Sequence, residues 1–309
     1  MPPLWISEAD VAACLTLPGA IDALERALVL EASGAAINMV KTHAAWGAGH
    51  TLHAIGAVFP ASGFAGTKTW AHTSGGAAPL FILFDSNSGA VLAIIEAFHL
   101  GQLRTGGMSG VATRALAEPG ADQMAIVGTG KQALMQVAAV NAVRPLKRVH
   151  VFSPTADHRR RFALALEREL HLQAVVADSV AEAVSHVPIV TVATRAREPF
   201  LVAAMLARGT HINAIGAITP ERTELAPDVL LRCTQIVADS IPAAQKLSRE
   251  LVDHFNSGAR EWHTARPLCQ VVAAQQRRAA DADLTLFKAL GMGIADLALA
   301  VEVYAKGRA

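Results

Sequence analysis

The stretch Gln123-Met-Ala-Ile-Val-Gly-Thr-Gly-Lys-Gln-Ala133 decides the fold. A short apolar run stops at Gly128, and a helix-like segment follows from Lys131 to Val143. In a G-x-G-x-x-A pattern the first glycine permits a tight turn and the second lets backbone approach a pyrophosphate. The small third residue lets helix and strand pack closely. Free N–H groups at the positive helix end then hold the phosphates. The pattern alone also fits an ordinary strand–turn–helix, so its surroundings matter. Downstream, Arg148–Phe152, Gln173–Val176, Ile189–Ala193, His211–Ile215 and Gln235–Ala238 read as strands. Between them lie helix-length segments such as Asp157–Leu170, Val180–His186 and Phe200–Arg208. Strands alternating with helices predict a parallel sheet wound by right-handed crossovers. The expectation is an α/β chain with a Rossmann-type NAD(P)-binding domain over residues 117–288. Gly128, Thr129, Gly130, Lys131 and Gln132 form its phosphate turn.

The end of the next strand selects between cofactors. NAD enzymes usually place an acid there for the ribose hydroxyls. This chain has Val151-Phe-Ser-Pro-Thr155 with no acid, then His158, Arg159 and Arg160. Ser153, Thr155 and Arg159 could accommodate a 2′-phosphate, which favours NADP over NAD; a solvated helix face at Arg159–Arg161 is the competing reading.

The N-terminal third has a different character. Ser7 is placed to cap a helix before Glu8 and Asp10, and a second helical segment begins near Pro18-Gly19. From Ala36 to Ile95 short apolar runs alternate with turn residues: His53–Phe59, Phe64–Trp70, Leu80–Asp85 and Ala90–Glu96. Asp85-Ser-Asn-Ser-Gly89 is a hairpin signal. A helix is expected from Leu100 to Ala117. The segment Leu284–Lys306 reads as one helix interrupted near Gly291-Met-Gly293, packing back onto the first domain. Residues 1–116 plus 289–309 are therefore expected to form an α+β substrate-binding and dimerisation domain.

Composition excludes several classes. Of 309 residues, 52% are hydrophobic and 17% charged, which argues against disorder. Every long apolar run carries a charge, as Glu96 does in Ala90–Leu100, so no membrane span is expected. A net charge of +1 without a broad basic field argues against nucleic acid. Three scattered cysteines suggest neither disulfides nor a zinc ribbon, and the N-terminus does not read as a signal peptide; both fit the cytoplasm. His50 and His53 sit on a strand-like stretch, where residues three apart point to opposite faces, so no metal site is expected. His72 reads as a polar loop residue. Trp46, Trp70 and Met108 could shape an apolar pocket, with core packing the default for such residues.

Several blocks together resemble the ornithine cyclodeaminase/μ-crystallin family. They are Gly66-Thr-Lys68, Leu83-Phe-Asp85 with Ser88-Gly89, and Leu103-Arg104-Thr105 running to Ser109 and Ala112-Thr113-Arg114. Next come Val127–Gln132, Ile212–Ala217 with Pro220 and Glu224-Leu225, and Phe287–Gly291 with Asp296. The resemblance runs from about residue 36 to 305. It implies a Rossmann domain, a second domain that commonly mediates homodimers, and hydride exchange between nicotinamide and the carbon bearing a small amino acid's nitrogen. It also implies that Lys68 and Arg104 meet the substrate carboxylate, with Lys68 able to protonate an imine nitrogen. Thr105 would approach the cofactor phosphates, and Thr191 and Thr194 would lie near the cofactor.

Two departures shape the functional expectation. The family's Pro-Arg-Thr reads Val40-Lys41-Thr42 here, so Lys41 keeps the charge but loses the guanidinium fork. The family's Asp after Gly-Ala is Ile218, which can neither accept a proton nor attract an ammonium. General acid–base catalysis contributes about 10²–10⁴-fold, so deamination of ornithine suffers more than reduction of a preformed imine. The expected function is NAD(P)-dependent reduction of the C=N bond of a small cyclic imino acid. Ornithine cyclodeaminase and a non-catalytic dinucleotide-binding protein are the alternatives.

Overall fold

The computed structural model describes residues 2–47 and 49–307. The chain divides into two compact units, residues 1–107 with 291–309, and residues 108–290. The division falls inside one helix, so residues 108–116, expected in the first domain, belong to the second unit.

The first unit holds strands β1 (Leu4–Ile6), β2 (Ile37–Asn38), β3 (Thr42–Trp46), β4 (His50–Phe59), β5 (Phe64–Thr73), β6 (Gly76–Ala77), β7 (Leu80–Asp85) and β8 (Val91–Glu96). They form one sheet in the order β1-β8-β7-β5-β4-β2, with β3 paired to β4 and β6 to β5. All pairs are antiparallel except β1 with β8. His72 therefore lies in a strand, opposite Thr51, and not in a loop. Helices α1 (Glu8–Cys14) and α2 (Leu17–Ala32) begin at Ser7 and Thr16, whose hydroxyls accept from Asp10 and Gly19 N–H groups. Helix α2 buries Ala20, Ile21, Leu24, Ala27 and Leu28, the i, i+3/i+4 stripe of an amphipathic helix. Truncating such a leucine to alanine costs about 2–5 kcal/mol.

Helix α3 (Phe98–Leu116) starts where the Glu8 carboxylate accepts from the N–H groups of Phe98 (2.6 Å) and His99 (2.8 Å).

The second unit carries an all-parallel sheet of β9 (Gln123–Val127), β10 (Arg148–Phe152), β11 (Gln173–Val176), β12 (Ile189–Val192), β13 (His211–Ala214), β14 (Cys233–Ala238), β15 (Arg266–Pro267) and β16 (Leu284–Lys288). Its order is β11-β10-β9-β12-β13-β16-β14-β15. The first five strands follow the doubly wound order, with chain direction across the sheet reversing between β9 and β12. Helices α4 (Ala133–Val143) and α5 (Ala156–Leu170) follow the first two strands. Apolar layers cover the sheet, one around Met124, Ile126, Val137 and Leu166, the other around Val127, Val190, Val192 and Leu286. Burial on both faces explains why β9 and β12 read as nearly continuous apolar runs.

Two expectations fail here. Leu284–Lys288 is a fully buried strand and not the start of the terminal helix. The chain turns at Gly291 (φ +91°), and the helix begins only at Gly293, as Gly293–Gly307. Phe200–Arg208 forms a single 3-10 turn, Ala203–Met205, instead of a helix. Phe200 and Leu201 N–H groups already donate to Glu224 O, and Gly209 breaks the run at φ +98°. Among the described residues no helix is long and apolar enough to cross a membrane.

Candidate active site

In the first unit, strand alternation puts Gly66, Lys68 and Trp70 of β5 on one face. Lys68 is buried, and its Nζ donates to Asp296 Oδ1 at 2.5 Å. Asp296 lies in the first turn of the terminal helix, whose N-terminal N–H groups of Gly293 and Ile294 donate to Asn38 Oδ1 (2.8 and 3.2 Å). That end approaches β4 so closely that a Cβ on Gly293 would overlap the Gly56 carbonyl. Gly293 must be glycine for Asp296 to arrive here, whereas a Cβ on Gly56 would collide with the Gly66 carbonyl on β5. The positive end of a helix dipole also favours a carboxylate in its first turn.

Arg104 comes from α3, with Nε 3.3 Å from Asp296 Oδ1. Gly291 makes room beside it: a Cβ there would stand 3.1 Å from an Arg104 nitrogen. Lys41 lies just before β3 with its Nζ 5.9 Å from the centre of the Trp70 ring, and Lys68 Nζ is 5.5 Å from the same ring. Trp70 in turn stacks on His53 (4.8 Å), which stacks on His43 (5.6 Å), across β5, β4 and β3. Trp70 is thus a site wall and not core filling, while Trp46 is exposed and Met108 is buried.

The electrostatics follow from this crowding. Burial pushes Lys68 down to about 8, with Asp296 pulling it up and Arg104 and Lys41 pulling it down. Lys41 is lowered by burial and by Arg104. His53 is pushed to about 4 by burial and the cations around it, so it is neutral at pH 7. Three cations around one carboxylate leave an excess of positive charge, suited to a small anion. Lys68 and Arg104 were expected from the sequence, as was Lys41. Asp296 had been noticed only as part of a motif, with no role.

The second unit presents the expected turn. Gly128 adopts φ +103°, and a Cβ there would stand 2.5 Å from Ala193 O. No other residue type fits. Gly130 has open space beside its Cα, which leaves backbone free to approach a ligand. Thr129 is half-buried and Lys131 exposed; Gln132 stands at the N-terminus of α4 with a buried Oε1 that has no hydrogen-bond partner among the described residues. A buried acceptor without a partner at this turn fits a site that a ligand donor completes. Ser153 is buried, Thr155 is exposed, and Arg159 donates to Ser153 O (3.1 Å) and Asp178 (3.1 Å) while lying over the Phe152 ring.

Other expected residues have structural partners. Thr105 donates back to Gly101 O at 2.8 Å, within its own helix. Thr191 is wholly buried inside the sheet, 3.5 Å from Asn213 Nδ2, so it faces neighbours and not a ligand surface. Thr194 donates to Glu224 at 2.8 Å. Ile218 packs partly against the apolar core around β12 and β13.

With fold and sites in view, the chain belongs to the ornithine cyclodeaminase/mu-crystallin family, whose sequence profile matches residues 5–309. It is 30% identical over 227 residues to a Delta(1)-pyrroline-2-carboxylate reductase of Bacillus cereus, covering 73% of this chain and 70% of that protein. It is 32% identical over 223 residues to the mouse ketimine reductase mu-crystallin, covering 72% and 67%. A solved structure of Thermococcus litoralis Delta(1)-pyrroline-2-carboxylate reductase, in complex with NADH and L-proline, superposes with a TM-score of 0.92. It is 26% identical and the match covers 99% of this chain and 97% of that one.

Proposed function

We propose that this chain is an NAD(P)H-dependent reductase of a small cyclic imino acid. The carrying observation is Lys68, a buried ammonium whose pKa of about 8 sits near operating pH, held by Asp296 among Arg104 and Lys41. A general acid works best when its pKa lies near the working pH. Residues 1–107 with 291–309 act as the substrate-binding unit and residues 108–290 as the dinucleotide-binding unit.

Arg104 and Lys41 take the substrate carboxylate, Arg104 through its planar fork. Lys68 Nζ donates a proton to the imine nitrogen and regains it from solvent. Asp296 keeps that ammonium charged and aimed. The Gly128–Gln132 turn would hold the pyrophosphate of the reduced dinucleotide, whose nicotinamide would supply the hydride. Ser153, Thr155 and Arg159 favour the 2′-phosphate of NADPH, because Arg159 already lies along the Phe152 ring at the strand end. The named relatives act on pyrroline carboxylate and ketimines, and Ile218 supports the same reading, since a preformed imine needs no carboxylate partner for an ammonium.

The exposed apolar side chains Ile37, Val40, Trp46 and Leu52 along β2–β4 support a homodimer in which a second copy covers this face. Light scattering on the purified protein tests it, and a monomer at micromolar concentration rejects it.

The functional test measures NADPH and NADH oxidation with Δ1-pyrroline-2-carboxylate and Δ1-piperideine-2-carboxylate, beside ammonia release from L-ornithine. Imine-dependent oxidation without ornithine turnover is expected. Binding of dinucleotide with no turnover of either imine would reject the reductase reading. Arg159→Ala should narrow any preference for NADPH over NADH.

A further inference from the structure

Glu224 has no exposed surface, yet its carboxylate takes four hydrogen bonds. Oε1 accepts from the Thr194 N–H (2.7 Å) and hydroxyl (2.8 Å), and Oε2 accepts from the N–H groups of Gly216 (3.0 Å) and Ala217 (2.9 Å). One side chain therefore ties together the two loops that leave β12 and β13. Burial raises the Glu224 pKa, and the Glu250 charge adds to this, while Lys288 and the Thr194 donors pull against it. With two donors on each oxygen, the ionised form fits the site.

The clamped loops are packed without slack. A Cβ on Gly216 would overlap the Thr194 backbone and the Glu224 carboxylate itself. Ala193, next to Thr194, presses its carbonyl on the Gly128 turn. Glu224 is anchored in turn: its own N–H and that of Leu225 donate to Glu250 Oε1 (2.5 and 3.0 Å), and Glu250 Oε2 meets Lys288 Nζ at 2.5 Å. A loop carboxylate backed by a buried ion pair is a costly arrangement for mere loop closure, since each buried charge gives up its hydration.

In a doubly wound sheet the dinucleotide lies across the carboxyl ends of the strands, one mononucleotide on each side of the switch point. The β9 turn takes the pyrophosphate and the end of β10 the adenosine ribose, so the ends of β12 and β13 border the nicotinamide half. We propose that Glu224 is a positioning residue that fixes this rim, Ala193–Thr194 and Gly216–Ala217, for the nicotinamide half of the cofactor. Ile218 follows Ala217 directly, so the same clamp fixes where the residue in the family's Asp position stands. The inference rests on the dinucleotide reading above.

The test compares binding of NADPH and NADH with binding of ADP-ribose, which lacks the nicotinamide, to the full-length protein and its Glu224→Gln variant. A Gln side chain keeps the shape but sets an NH₂ against two donors. Loss of two hydrogen bonds should loosen the rim and weaken reduced-dinucleotide binding by about tenfold or more, read from nicotinamide fluorescence. ADP-ribose binding should stay within about twofold. Thr194→Val, which removes one donor and keeps the backbone N–H, should give a smaller loss of the same selectivity; it carries the test should Glu224→Gln fail to fold. Equal losses for both ligands, or no loss for either, overturn the proposal. A wild-type chain that binds neither ligand overturns the dinucleotide reading itself.

Discussion

Asp296 Oδ1 lies 2.5 Å from Lys68 Nζ and 3.3 Å from Arg104 Nε, so one buried carboxylate serves two cations. Its second oxygen, Oδ2, is buried with no hydrogen-bond partner among the described residues. The carboxylate spends its strength on the side facing the cations.

That relationship sets the pH dependence. With Lys68 as the proposed acid, imine reduction requires its protonated form, so kcat/KM should fall as pH rises through about 8. Asp296 raises the Lys68 pKa, so Asp296→Asn should move this limb to lower pH. Leaving a buried ammonium unpaired should also cost about 3–5 kcal/mol of stability. Lys68→Met should abolish the limb and lower kcat about 10²–10⁴-fold. A pH–rate profile of the three proteins checks all of this; an unmoved limb in Asp296→Asn would remove Lys68 as its source.

Lys41 supplies charge without a fork. Lys41→Arg should lower KM for the imino acid several-fold by adding a second parallel N–H···O bond. Lys41→Ala should raise KM about tenfold, the worth of one charge-assisted hydrogen bond. Steady-state kinetics at fixed NADPH decides, and a change confined to kcat would place Lys41 away from the carboxylate.

Ile218→Asp should gain ammonia release from L-ornithine or oxidation of an amino acid, at some expense of stability because the side chain packs partly against apolar core. Coupled ammonia assays on the folded variant give the answer. No gain would mean that the missing acid is not what limits amino-acid chemistry here.

His211 gives a stability prediction. It is wholly buried between Thr285 (2.9 Å) and Asn213 (3.2 Å), and burial pushes it down to about 3. A depressed histidine pKa means the unfolded chain binds the proton first as pH falls. Stability is therefore complete above about pH 6.5 and declines below it, with a slope approaching about 1.4 kcal/mol per pH unit toward pH 3. Urea unfolding between pH 7 and 4.5 should show this slope, flattened in His211→Gln.

The nucleotide half was easier to read from sequence than the substrate half. Strands β9 and β12 are buried almost throughout, so they appear as apolar runs, and the glycine turn follows β9 directly. Leu284–Lys288 is just as buried, but the helical periodicity beyond Gly293 could be extended backward over it, and only the sheet position between β13 and β14 separates the readings. Lys68 and Arg104 were visible through family motifs. Asp296 gained its role only in three dimensions, because 228 residues separate it from Lys68. Trp70 looked like core because nothing in a linear pattern reveals that its strand face carries two ammonium groups.

The contact between Gly293 and Gly56 has a consequence for how this chemistry can drift over time. Where two backbones touch without intervening side chains, the separation of Lys68 and its counter-charge is a property of main-chain geometry. A single methyl group at Gly293 would displace the helix end, and the setting of the Lys68 ammonium would change before any residue proposed to meet the substrate had been altered.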